Sequence, residues 1–319
     1  MFALRGIAVS FSVFVLVYSA LSLVVCGAWR NLFSYGRRHS ARRVADMLFT
    51  LRVTPFAVAT GITLALAVPS FVLLEPRAVN ESLGAVPVAL GLCGLGALLA
   101  GAWKAATALR QASRTVARWS RAAVASSSIH SSGSVAVQRI SGAAAPLTAA
   151  GIFRPSVWLS RAAEFVLTER ELESALRHEV AHVRRRDNLR KLILRVVAFP
   201  GMAELENAWR EATEMAADDA AVSSASEALD LAAAVIKLSR LAPLEAPAEL
   251  TTALVHSPTE SVNARVQRLI AWTERTASAA PGHSLKYALC VAVTVAVTLA
   301  VTYSELLVRV HTATEWLVR

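Results

Sequence analysis

The stretch TERELESALRHEVAHVRRRD, Thr168 to Asp187, decides the reading of this chain. Thr168 and Glu171 form a capping box, in which a hydroxyl and a carboxylate satisfy amide groups that a helix start leaves open. The helix then runs through Leu172, Leu176 and Val180 to about Arg186. On it His178 and His182 stand at i and i+4, about 6 Å apart along the axis and on nearly the same face, so two imidazoles can grip one ion. Zinc suits such nitrogen ligands, with bonds of about 2.0 to 2.1 Å. Glu179 lies about 100° around the helix from His178, beside the ion and placed to take a proton from water.

A catalytic zinc needs a third protein ligand and an open position for water. The later segment Glu214-Met215-Ala216-Ala217-Asp218 offers one. Glu214 can bind the metal while Asp218, four residues on and on the same face, orients a ligand histidine. Glu206 and Glu211 compete for the ligand role on spacing alone. The bare His-Glu-x-x-His pattern arises by chance in roughly one chain of this length in a hundred. Its surroundings therefore carry weight: a capped helix, an acidic helix downstream, and flanks too charged for a bilayer.

The composition places the motif in a membrane protein. Of 319 residues, 55% are apolar, and the mean hydropathy is +0.48, too high for an ordinary soluble domain. Four stretches meet the requirement of about 20 mostly uncharged residues for a spanning helix. They are Ile7 to Trp29, Val53 to Leu74, Ala85 to Trp103 and Tyr287 to Val308. The first is longer than the apolar core of a signal peptide and has no small-residue cleavage site before a polar start, so it reads as a retained span.

The net charge of +10 follows the membrane, not a nucleic acid. Arg30, Arg37, Arg38, Arg42, Arg43 and Arg52 gather between the first two spans and at the start of the second, against Asp46 alone, whereas the next loop has Arg77 beside Glu75 and Glu81. Basic loops stay in the cytoplasm. The N-terminus is then outside, and the long loop from Lys104 to Lys286 is cytoplasmic, in a multi-pass protein of the inner membrane in contact with its lipid. That loop mixes acids with bases and shows no aromatic and basic pattern for nucleic acid. Cys26, Cys93 and Cys290 all fall inside spans, so neither a disulfide framework nor a cysteine zinc site is indicated.

The expected fold is an α-helical membrane protein with four transmembrane helices and a mostly α, zincin-like α+β metallopeptidase domain inserted between helices three and four. Residues 1–103 would carry three spans, 104–286 the cytoplasmic domain, and 287–319 the fourth span and a short external tail. Within the loop, Lys104 to Val124 is basic and amphipathic, and Ala125 to Ser134 is linker-like. Val135 to Ile140 and Ser156 to Ser160 are β-type runs, with an edge strand near Leu147 to Ile152 that would be open to an extended substrate. Asp187 is placed to cap a helix from Asn188 to Phe199. Glu204 to Ser223, Glu227 to Leu241 and Thr259 to Thr276 are helical, the last opened by Ser257-Pro258.

The run from Pro146 through Gly151, Pro155 and Trp158 to His178-Glu179-x-x-His182 and Arg185-Arg186-Asp187, then Glu214-x-x-x-Asp218-Asp219 and Arg265-x-x-x-Leu269, resembles the BlaR/MecR-type bacterial membrane metallopeptidases, gluzincin-like antirepressor enzymes. The span order resembles theirs too, so the likeness covers nearly the whole chain. It implies that His178, His182 and Glu214 bind zinc and that Glu179 activates water. It also implies a cytoplasmic protein substrate, such as a transcriptional repressor. The chain ends about eleven residues after the fourth span, so beta-lactam sensing by an attached external penicillin-binding domain is not expected. Ala217 stands where the family often has cysteine.

The function expected is zinc-dependent endopeptidase activity. All four tyrosines lie outside the long loop, so an oxyanion helper is sought in His256 or an arginine. The alternative is a signalling or scaffold protein that retains the zinc fold without catalysis. Intramembrane proteolysis is disfavoured by Arg177, Arg184 to Asp187 and Arg190, whose charges would be costly in lipid. Substrate, stimulus and oligomeric state are not legible in the sequence.

Overall fold

In the computed structural model of the chain, the residues described are 2–36, 40–76, 84–122, 129–130, 135–140, 146–241, 250, 252–253, 259–272 and 302–315. The structure is mostly helical, with a small sheet. It divides into two compact units, one of Met1–Ala28, Val53–Ala100 and Arg275–Arg319, the other of Trp29–Arg52 and Gly101–Glu274.

The first unit is built on apolar helices. α1 spans Phe2–Gly36, and α2 spans Ala41–Ile62. A wide π-type turn, Thr63–Ala67, carries α2 on into α3, Val68–Leu74, and α4 follows over Ala85–Ala122. Three stretches, Phe2–Asn31, Ala41–Leu74 and Ala85–Arg121, are long and apolar enough to cross a membrane, which associates the protein with one. The helices run past the apolar stretches read from sequence. The basic segment after the third span is the same helix as the span, and the arginine-rich connection is helical from Ala41. Small residues bring α1 and α4 together: a Cβ on Gly94 would stand 2.7 Å from the Phe11 carbonyl oxygen, the close backbone approach typical of helices packed in lipid.

Pro69 has no N–H for the carbonyl four residues back, Ala65. The Tyr303 hydroxyl donates to that oxygen at 2.8 Å, supplying a bond that the proline cannot. Tyr303 belongs to α11, residues 302–315. Most of the expected fourth span, 287–301, and the Ser257-Pro258 helix start lie outside the described residues, as does Cys290.

The second unit holds a five-stranded sheet in the order β1-β2-β4-β3-β5. Its strands are β1 Ile129–His130, β2 Ala136–Ile140, β3 Leu147–Ala150, β4 Ser156–Ser160 and β5 Thr252–Ala253. β2 and β4 pair in parallel, and the other pairings are antiparallel. β2 and β4 are the two β-type runs seen in the sequence. β3 is not an edge: Thr148 pairs with Ala253 and Ala149 with Thr252, so β5 covers the side expected to be open. Two residues cannot announce themselves by alternation, which is why β5 was invisible. Gly151 turns the chain between β3 and β4 with φ of +98°, and a Cβ there would stand 2.7 Å from the Arg154 carbonyl oxygen.

Helices enclose this sheet. α5 is Arg161–Val166, α6 Glu169–Arg185, α7 Asp187–Val196, α8 Ala203–Ala221, α9 Ala225–Arg240 and α10 Thr259–Ile270. Both bonds of the Thr168–Glu171 capping box form at the start of α6. Leu176 and Val180 of α6 join Val137, Leu147, Val157 and Leu159 of the sheet and Leu231, Val235 and Leu238 of α9 in one core. The connection 29–52 packs in the same unit: Asp46 Oδ1 lies 2.6 Å from the Arg190 guanidinium, and Arg52, 1% exposed, reaches Glu206 at 3.3 Å.

Gly151→Ala should therefore destabilise the purified protein by about 1 to 3 kcal/mol, because a side chain is forced into a left-handed backbone. Gly61→Ala, where an added Cβ meets nothing within 4 Å, should not lower the melting temperature. Equal melting temperatures for the two variants would contradict this turn geometry.

Candidate metal centre

α6 and α8 supply the centre. The helical spacing of His178 and His182 turns both rings inward, with 0% and 2% of their surface exposed. Their Nε2 atoms face each other at 3.0 Å. Glu214, from α8, completes a triangle: Oε2 lies 3.6 Å from His178 Nε2 and Oε1 3.6 Å from His182 Nε2. His178, His182 and Glu214 are thus a group whose ligand atoms could hold one ion.

The outward nitrogens explain why these rings point as they do. His178 Nδ1 lies 2.9 Å from Asp218 Oδ1, and His182 Nδ1 lies 2.8 Å from Asp187 Oδ2. A carboxylate hydrogen-bonded to Nδ1, as Asp187 is to His182, holds the proton there and leaves the Nε2 lone pair for a metal, while Asp218 faces His178 Nδ1 at ion-pair distance without hydrogen-bond geometry. Asp187 corrects the sequence reading. It does not cap α7, whose N-cap is Arg186 in a left-handed conformation with φ of 54°. That tight joint between α6 and α7 instead buries Asp187 completely, beneath His182.

Arg265 of α10 is the balancing charge. It is 2% exposed and grips Asp218 with two bonds, Nε to Oδ2 at 2.9 Å and an Nη to Oδ1 at 2.6 Å. Its other Nη lies 3.1 Å from Glu214 Oε2. Burial alone would raise the Glu214 pKa, but His182, Arg265 and His178 outweigh it and hold it at about 2. Asp218 is likewise pushed well below the usual carboxylate range, against its burial, by Arg265 and His178. Burial alone would lower the His178 pKa, yet Asp218 and Glu214 raise it to about 9.

These residues fit a metal ion. Two imidazole lone pairs held 3.0 Å apart in a dry site repel unless a cation or a proton lies between them, and Glu214 faces the same point. The donor set, two imidazoles and one carboxylate, is one that zinc accepts.

Glu179 stands beside this point and is fully buried. Its Oε2 accepts the Ala149 N–H at 2.9 Å, whereas Oε1 has no hydrogen-bond partner among the described residues. Burial pushes its pKa up, with His182 and His178 opposing. The Asn188 side chain donates to the Ala149 and Gly151 carbonyls at 3.2 and 3.1 Å, which fixes the strand that holds Glu179. The centre thus presents one carboxylate with a free oxygen next to a cation cradle.

The rival acids are placed elsewhere. Glu206 is turned to Arg52, and Glu211 is exposed. His256 lies outside the described residues. Sequence reasoning missed what Asp187 and Asn188 do; an aspartate five residues after the second histidine was the available signal for the first. Arg265 was seen only within the family-like pattern. Its spacing of 47 residues from Asp218 gives no local clue. Comparison with protein-family models, curated proteins and solved structures returns no match.

In the metal-free protein, protonated His178 contributes stability that is complete below its ordinary pKa, about 6.5, and is lost as pH rises through about 9. A metal takes the lone pair, so near pH 7 zinc binding should expel about one proton, and fewer as the pH approaches 9. Calorimetry in buffers of different ionisation enthalpy measures this. No proton release near pH 7 would contradict the charge state derived for His178.

Proposed function

We propose that this chain is a membrane-anchored zinc endopeptidase of the BlaR/MecR type, acting on a cytoplasmic protein. A transcriptional repressor is the substrate class that the resemblance offers. The observation that carries the reading is the buried cradle of His178, His182 and Glu214 with a free oxygen of Glu179 beside it. A purely structural ion site has no use for that carboxylate, whose burial costs free energy.

When bound, zinc would supply Lewis-acid activation of the scissile carbonyl and of water. The protein's own groups do the rest. Glu179 Oε1 takes a proton from the attacking water, and the resulting carboxylic acid returns it to the leaving nitrogen. A carboxyl whose pKa is raised by burial is a better base for this than an exposed one. The Ala149 amide holds Glu179 Oε2, so the free oxygen keeps one direction. Asp218 and Asp187 keep the imidazoles aimed, and Arg265 offsets the charge of Asp218 and Glu214.

In this reading the protein has four spans, with the peptidase domain between the third and fourth. The arginine-rich connection puts that domain on the cytoplasmic side. Residues 29–52 share a compact unit with 101–274, which supports assigning both to one side of the membrane.

Purified full-length protein tests the proposal, with labelled casein as a generic substrate. Glu179→Gln should keep its zinc and lose cleavage by about 100- to 10,000-fold. Glu214→Ala should lose the one equivalent of zinc held by this centre, whereas Glu206→Ala should not. Cleavage unchanged in Glu179→Gln would sink the enzymatic reading. Full signalling by Glu179→Gln in cells would favour the scaffold alternative.

A further inference from the structure

Three polar side chains converge in the first unit, independently of the centre on α6 and α8. Glu75 follows directly after α3, and its side chain is 7% exposed. His311 and Glu315 stand at i and i+4 on α11, where such pairs share a face. Their side chains are 15% and 44% exposed. Arg5, near the start of α1, lies 3.0 Å from Glu75 Oε1.

That contact leaves the second oxygen of Glu75 directed at the histidine. Glu75 Oε2 lies 3.8 Å from His311 Nε2, and Glu315 Oε1 lies 3.6 Å from the same nitrogen. One ligand atom from each of the three side chains falls within 4.8 Å of the others. The separations exceed a hydrogen bond, which ends near about 3.2 Å. Ligand atoms around a tetrahedral ion with bonds of about 2.0 to 2.1 Å stand about 3.3 to 3.5 Å apart. The same 3.6 Å separation recurs between His178 and Glu214 in the other centre. Side-chain shifts of a few tenths of an ångström would bring all three atoms onto one ion.

The charges favour a cation as well. Among the described residues, Glu75 and Glu315 contribute two negative charges and Arg5 one positive charge, an excess of one negative charge when His311 is neutral. Desolvation of Glu75 makes that excess costly. Glu315, which is open to solvent, offers an ion a way in and leaves room for water as a further ligand.

We propose that Glu75, His311 and Glu315 form a second metal site, for a divalent first-row transition ion such as zinc. Imidazole with carboxylates is a donor set for that class. Arg5 holds Glu75 for binding through a single oxygen. An ion at this site ties the end of α3 to α11.

The test uses the full-length chain in detergent, stripped with a chelator and titrated with zinc alone, the bound metal being counted by mass spectrometry. Glu315→Gln and His311→Gln should each lower the zinc bound by one equivalent or weaken that equivalent at least about tenfold. Glu305→Gln, on the same helix, should change nothing. Because Glu315 is partly exposed and Gln keeps its shape, its variant is not expected to unfold the protein, and a melting curve checks this. The readout is a difference from the wild type, so it decides the matter whether or not the α6–α8 centre takes zinc. Unchanged zinc content and affinity in both variants would overturn the proposal.

Discussion

Two imidazole nitrogens held 3.0 Å apart, in a place nearly closed to water, are the constraint around which the second unit is arranged. Both lone pairs face one point, and each ring is kept from turning away by an aspartate behind it. Such an arrangement is unfavourable unless a proton or a cation lies between the two nitrogens. It becomes reasonable when a cation is the expected occupant and when every surrounding charge is answered. Asp218 is answered by Arg265, which also reaches Glu214, and Asp187 lies 3.5 Å from the Arg185 Nε. Removing one member of a buried set of this kind is costly because it leaves the others uncompensated.

The fold serves this arrangement through short connections. Arg186, in a left-handed conformation, joins α6 to α7 so tightly that Asp187 falls beneath His182. Asn188, one residue further, reaches back to the carbonyls of Ala149 and Gly151. The strand it fixes presents the Ala149 amide to Glu179. A single turn of chain thus sets the second imidazole and, through the strand, the direction of Glu179. The apolar face of α6, against the sheet and α9, supplies the rigidity on which these polar contacts depend.

Much of this was legible in the sequence because it depends on local periodicity. The capping box, the i to i+4 histidines and the Glu214–Asp218 pair are all statements about one helix at a time, as are the three apolar spans. What escaped depends on contacts between distant segments. β5 closes the edge of β3 with only two residues, too few for any alternation to show. Arg265 meets Asp218 across 47 positions, and nothing in its neighbourhood marks it as buried. Asp187 was read as a cap because aspartate before a helix usually is one. The left-handed Arg186 removed that option and gave the carboxylate to His182 instead. The Glu75–His311–Glu315 cluster was missed for the same reason, since its parts lie at opposite ends of the chain.

The central claim, that one ion is held by two imidazoles and the Glu214 carboxylate, is tested most directly by X-ray absorption at the zinc edge. The chain would carry Glu315→Gln and be loaded with a single equivalent. The account predicts two imidazole nitrogens at about 2.0 to 2.1 Å and carboxylate or water oxygens at about 2.0 to 2.2 Å. It also predicts that His182→Ala lowers the imidazole signal by at least about half. A spectrum of oxygen ligands alone, or one unchanged by His182→Ala, would contradict it.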